Sequence, residues 1–115
     1  MRRARPLLGT FVEIEAAGLA ELDLDRAVNA AFEAIARVHR LMSFHDPDSD
    51  VSRLNRFAPF EPVAVDRWTA KVLRSARMLF AATNGLFDCA VGYELMQRGL
   101  LPPEDLAHAE SGTFF

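Results

Sequence analysis

Two long segments of this chain repeat their apolar residues every three to four positions, whereas only one segment alternates convincingly with period two. That segment is Thr10-Phe11-Val12-Glu13-Ile14-Glu15. It sets Thr10, Val12 and Ile14 on one face and the two glutamates with Phe11 on the other, which predicts a strand over residues 7–16 with one wetted face. Gly9 within it predicts a bulge or a close backbone approach. Leu24, Val28, Ala31, Ile35, Val38 and Met42 predict an amphipathic helix over residues 23–42. Arg26, Glu33, Arg37 and Arg40 lie on its other side, with Glu33 and Arg37 ordered for an i,i+4 ion pair.

The second long helix is predicted to be capped by Asp66, to bury Trp68, Val72, Ala76, Leu79 and Thr83, and to stop at Asn84-Gly85. Between the helices, Ser43 to Asp50 has the composition of a turn. Ser49 or Asp48 can cap a short helix through Val51, Leu54 and Asn55, and Val63-Ala64-Val65 reads as a brief strand. A shorter apolar segment runs from Ala90 to Met96, and Pro102-Pro103 breaks it. An isolated two-stranded sheet is marginal in water, so the pattern predicts an α+β fold that is incomplete.

A length of 115 residues allows at most one domain. The net charge of −3 argues against a protein built to neutralise nucleic-acid phosphates. No apolar run approaches the roughly 20 residues of a membrane-spanning helix. Arg2, Arg3 and Arg5 resemble the charged start of a secretory signal, but Glu13 and Glu15 interrupt the apolar stretch after them. As written, the chain is expected to stay in the cytoplasm and off the membrane.

One cysteine, Cys89, excludes an internal disulfide and a multi-thiolate zinc site, and its default state is buried and inert. Asp46-x-Asp48-x-Asp50 opens like a calcium loop, but Val51 and Phe57 occupy the positions that need glycine and glutamate. His39 and His45 do not form a helical zinc pair, and His39 reads as a core or surface histidine. No phosphate loop, nucleophile elbow or dinucleotide fingerprint occurs.

Three segments together carry a resemblance. They are Arg5-Pro6-Leu7-Leu8-Gly9-Thr10-Phe11-Val12-Glu13-Ile14, then Leu41-Met42-Ser43-Phe44-His45-Asp46-Pro47-Asp48-Ser49-Asp50-Val51-Ser52-Arg53-Leu54-Asn55, then Thr83-Asn84-Gly85-Leu86-Phe87-Asp88-Cys89-Ala90-Val91-Gly92. In this order and spacing they resemble the N-terminal part of the FAD:protein FMN transferases, the ApbE family, over about residues 3–103. The implied organisation is an N-terminal portion of an ApbE-like domain at 1–103 and a loose tail at 104–115.

The resemblance implies transfer of FMN from FAD to a threonine of a target flavoprotein, with magnesium. Leu8 stands where a methionine often meets the cofactor, and His45 at a position near the flavin that is frequently tyrosine. Leu86, Phe87 and Asp88 match the loop that contacts FAD after the second helix; Phe87 suits core packing equally well. The family's metal ligands and catalytic groups have no counterpart in this chain. The expectation is therefore a truncated transferase that is inactive on its own, or active with a separately encoded C-terminal half. A non-catalytic FAD- or partner-binding module and a non-functional remnant are the alternatives.

Overall fold

The computed structural model describes residues 1–102; the tail expected at 104–115 lies outside them. The chain opens with a hairpin: β1 (Arg2–Leu7) pairs antiparallel with β2 (Thr10–Glu15), in a register that joins Arg2 to Glu15 and Leu7 to Thr10. The predicted single strand over 7–16 is corrected here. Gly9 is no bulge: Leu8 (φ 57°) and Gly9 (φ 73°) form the two-residue loop, both in the left-handed conformation that the twist of a hairpin favours. The face assignments of β2 hold, because Val12 and Ile14 are half-buried while Phe11, Glu13 and Glu15 are exposed.

The partner strand is built from the residues that resembled a charged leader. Arg2 pairs with Glu13 of β2 at 2.8 Å, and Arg3 pairs with Asp25 at 2.6 Å. Arg5 donates to Asn29 Oδ1 at 2.8 Å and lies 4.5 Å from the centre of the Phe32 ring. Asp25, Asn29 and Phe32 lie on α1 (Glu21–Met42), so Arg3 and Arg5 hold the hairpin against the long helix, while Arg2 braces its two strands. Glu21 and Asp23 in its first turn and Arg40 in its last complement the helix dipole.

Val28 and Phe32 of α1, Val51 of α2 (Asp50–Phe57) and Ala76 of α3 (Arg67–Ala82) are the buried hydrophobic side chains among the described residues, the first two fully so. Arg37 makes no pair with Glu33. It bonds Asp66 Oδ2 at 3.0 Å and stacks 4.3 Å from the centre of the Trp68 ring, because α3 brings a carboxylate and an aromatic face within its reach. Both helix caps are as predicted: Ser49 Oγ accepts from Ser52 N–H at 3.1 Å, and Asp66 Oδ1 accepts from Trp68 N–H at 2.8 Å.

Two further expectations are corrected. Val63-Ala64-Val65 is not part of a sheet. Its backbone is held by side chains of α2 instead: Arg53 donates to the Ala64 carbonyl at 3.0 Å, and Asp50 Oδ2 accepts from Asp66 N–H at 2.9 Å. On α3, Thr69 and Ala76 are buried, whereas Val72 and Leu79 remain about half exposed. That helix therefore leaves apolar surface at Val72 and Leu79 only partly covered by the described residues.

α3 ends as the sequence predicts. Asn84 (φ 51°) and Gly85 (φ 82°) turn left-handed, and Gly85 N–H donates to the Phe80 carbonyl at 2.9 Å. α4 (Gly92–Gln97) follows.

Candidate functional site

The hairpin loop meets the end of α1. Leu8 and Gly9 from the loop, Val38, His39 and Met42 from α1, and Ser43, Phe44 and His45 beyond it line an open groove of about 380 Å³. Leu8 is half exposed and His45 is exposed, so both present side-chain surface to it. Phe44 and His45 meet edge to face, with ring centres 5.9 Å apart at 84°. The groove thus offers aliphatic and aromatic surface with an imidazole at its rim, a setting suited to a planar heterocycle.

Each wall is fixed by a distinct set of bonds. Leu8 N–H donates to His39 Nδ1 at 3.1 Å, tying the hairpin loop to α1. On the other side, Ser49 Oγ donates to the Ser43 carbonyl at 2.6 Å and Ser52 Oγ to the Phe44 carbonyl at 3.2 Å. The N-cap of α2 therefore also holds the segment that carries His45. Below it, the buried Asp50 carboxylate accepts from Arg53 at 3.1 Å, from Asp66 N–H at 2.9 Å and from Thr69 Oγ1 at 2.6 Å. This one side chain joins α2, the N–H of Asp66 just before α3, and α3 itself.

Leu86, Phe87 and Asp88 do not line this groove; they follow the C-terminus of α3. Leu86 is 92% exposed and Phe87 42%, which leaves Phe87 outside the core packing that it could have served. Phe87 N–H donates to Thr83 Oγ1 at 3.0 Å, and Asp88 Oδ1 accepts from Ala90 N–H at 2.9 Å. Asp88 borders a second cleft, of about 330 Å³, with Leu73, Ala76, Arg77, Phe80 and Cys89. Cys89 is half-buried; burial pushes its thiol above its ordinary pKa, and Asp88 beside it adds to the effect, which favours the protonated thiol. Asp66 moves the other way: the Trp68 N–H and then the Arg37 guanidinium hold its carboxyl below the usual range.

Among the described residues, no group of three or more histidine, cysteine, aspartate or glutamate side chains is arranged to hold a metal ion. The carboxylates of Asp46 and Asp50 have other work. Asp46 Oδ1 accepts from Asp48 N–H at 2.9 Å, and Asp50 is buried with three donors of its own. The described residues do not fit a magnesium site.

His39 and Asp50 are the two residues of the site whose roles the sequence did not reveal. Nothing local marks His39, because its partner lies 31 positions away. Asp50 carried one available signal, a carboxylate directly after a serine N-cap.

The family model described as the ApbE family matches residues 8–102. The chain belongs to the ApbE family. Among solved structures, a mutant of flavin transferase ApbE from Vibrio cholerae superposes with a TM-score of 0.71 at 28% identity, covering 92% of this chain and 36% of that one. The α+β fold thus corresponds to an N-terminal portion of the ApbE fold, and the chain spans only 36% of the length of that solved relative. No curated protein matches it. No helix among the described residues is long and apolar enough to cross a membrane.

Proposed function

We propose that this ApbE-family chain supplies part of the FAD-binding surface of a flavin transferase, which moves FMN from FAD to a threonine of a target flavoprotein. In that reaction the threonine hydroxyl oxygen forms a phosphoester with the FMN phosphorus. The pyrophosphate P–O bond breaks, AMP departs, and the hydroxyl proton is released. The observation that carries the reading is the groove itself: Leu8 and His45, 37 positions apart by their numbers, line one cavity in a fold shared with a flavin transferase.

In this reading Leu8 and Phe44 pack against the flavin edge, and His45 stacks on it or donates one hydrogen bond. Leu86, Phe87 and Asp88 reach the nucleotide from the end of α3. The magnesium donors and the groups that bring threonine to phosphorus come from a further segment, which a separately encoded C-terminal half can provide. The chain alone is then inactive in transfer. This rests on the occupied carboxylates of Asp46 and Asp50.

The test is a flavin fluorescence titration of the full chain, followed by incubation with FAD, magnesium and a target carrying the acceptor threonine. Quenching without covalent flavin on the target is expected for the chain alone, and labelling once the remaining portion of an ApbE protein is added as a second polypeptide. Labelling by the chain alone overturns its inactivity. Binding with no labelling even after that addition favours a module that holds FAD without transferring it. No quenching at high micromolar chain overturns the flavin groove.

A further inference from the structure

Leu8 adopts a conformation that its side chain opposes. Its φ of 57° lies in the left-handed region, where an L-residue suffers a clash between Cβ and the carbonyl, and where hairpin loops ordinarily place Asn, Asp or Gly. Such a residue persists only when its surroundings over-determine it. Gly9, the other loop residue, adapts without cost and has open space around it, so it does not force Leu8 into place. The tie to the rest of the fold is the bond from Leu8 N–H to His39 Nδ1 at 3.1 Å. Both residues line the groove that also holds His45.

We propose that His39 is a positioning residue of this groove: its Nδ1 holds the Leu8 N–H, fixes the left-handed loop, and so aims the Leu8 side chain at the bound flavin. The inference rests on the flavin reading of the groove. Nδ1 can accept this bond only when it carries no proton, so the remaining ring proton resides on Nε2. Glycine at position 8 would supply the loop conformation unaided but present no side chain. Leucine supplies the apolar contact and depends on His39 for the conformation.

The test uses the full chain, labelled with nitrogen-15, in its unaltered form and as His39→Ala, His39→Asn, Leu8→Gly, and Leu8→Gly combined with His39→Ala. A nitrogen–nitrogen coupling across the hydrogen bond between Leu8 and His39 reports the contact directly, and hydrogen exchange at the Leu8 amide reports the loop. Both are measured without FAD, beside a titration with FAD.

His39→Ala is expected to abolish the coupling, speed exchange at Leu8 and weaken FAD binding about 3- to 10-fold, the effect of one net hydrogen bond. His39→Asn, whose Oδ1 takes the place of Nδ1, is expected to restore slow exchange and most of the affinity. In the Leu8→Gly background, His39→Ala is expected to change the loop little, since glycine needs no clamp. An unchanged Leu8 amide in His39→Ala overturns the proposal, as does a loosened loop with FAD affinity intact. If the unaltered chain shows the coupling but binds no FAD, the flavin reading fails and the positioning role falls with it, while the clamp stands as a structural contact.

Discussion

Thr69 Oγ1 donates to Oδ2 of the buried Asp50 at 2.6 Å, and the same oxygen receives the N–H of Asp66 at 2.9 Å. Two helices and the segment between them thus converge on one carboxylate oxygen, while Oδ1 takes Arg53 at 3.1 Å. A charged acceptor shared by several donors is worth more than any of its bonds alone, because its removal strands each donor away from water.

Asp50→Ala is accordingly expected to destabilise the fold by about 2–4 kcal/mol, read from the midpoint of urea unfolding. Asp50→Asn should cost less. Its Oδ1 can still face Thr69 and Asp66, while its amide turns toward Arg53 and loses only that bond. Equal losses for the two variants would show that the charge and the second oxygen of the carboxylate, which asparagine lacks, hold the helices.

Asp66 makes stability depend on acid. The Trp68 N–H and Arg37 lower its folded pKa, so the folded state favours the ionised form more than the unfolded state does. Its contribution is therefore present above the ordinary aspartate range, about pH 4, and is lost as pH falls through the lower folded value. Asp66→Asn is expected to flatten this part of the stability profile, measured by thermal unfolding between neutral pH and about pH 3. An identical acid slope in the variant would assign the loss to other carboxylates.

Leu8→Asn separates stability from ligand contact. Asparagine enters the left-handed region more readily than leucine, so the hairpin should gain roughly 0.5–1 kcal/mol. The same change removes the aliphatic wall of the groove, and FAD quenching should weaken. A variant that is more stable and binds FAD equally well would take Leu8 out of the flavin surface.

Cys89 should alkylate slowly at neutral pH. Burial holds the thiol protonated, and the thiolate is the nucleophile. The rate of reaction with iodoacetamide is expected to lie below that of a free cysteine at pH 7 and to climb as pH is raised. A rate at pH 7 equal to that of free cysteine would mean that the cleft beside α3 is open to solvent.

The elements that were legible are those whose signals are local. The stripe through Val28 and Ile35, the serine and aspartate caps and the Asn84-Gly85 stop each declare themselves within a few residues. The rest depended on partners elsewhere in the chain. β1 was obscured because Arg2, Arg3 and Arg5 look like a solvated terminus until Glu13, Asp25 and Phe32 are set beside them. Leu8-Gly9 lacks the asparagine that usually announces a hairpin loop, since its conformation is supported from α1. Val63 to Val65 alternates like a strand, but Arg53 and Asp50 satisfy neighbouring backbone groups. Of the candidate site, the Leu8 and His45 walls were recognisable from motifs, whereas the His39 bond exists only in three dimensions.

Pro6 gives the hairpin a handed future. In a two-residue hairpin the closing pair, Leu7 and Thr10, exchanges the ladder bonds, so the next pair, Pro6 and Phe11, turns its backbone groups outward. On β1 that outward position has no N–H to offer, and the proline therefore costs the hairpin nothing while leaving a gap along its free edge. Along β2 the outward row from Phe11 to Glu15 is unbroken. A third strand would find an unbroken row of donors and acceptors along β2, whereas on the β1 edge it would miss one donor at Pro6, so the sheet widens more readily on the β2 side.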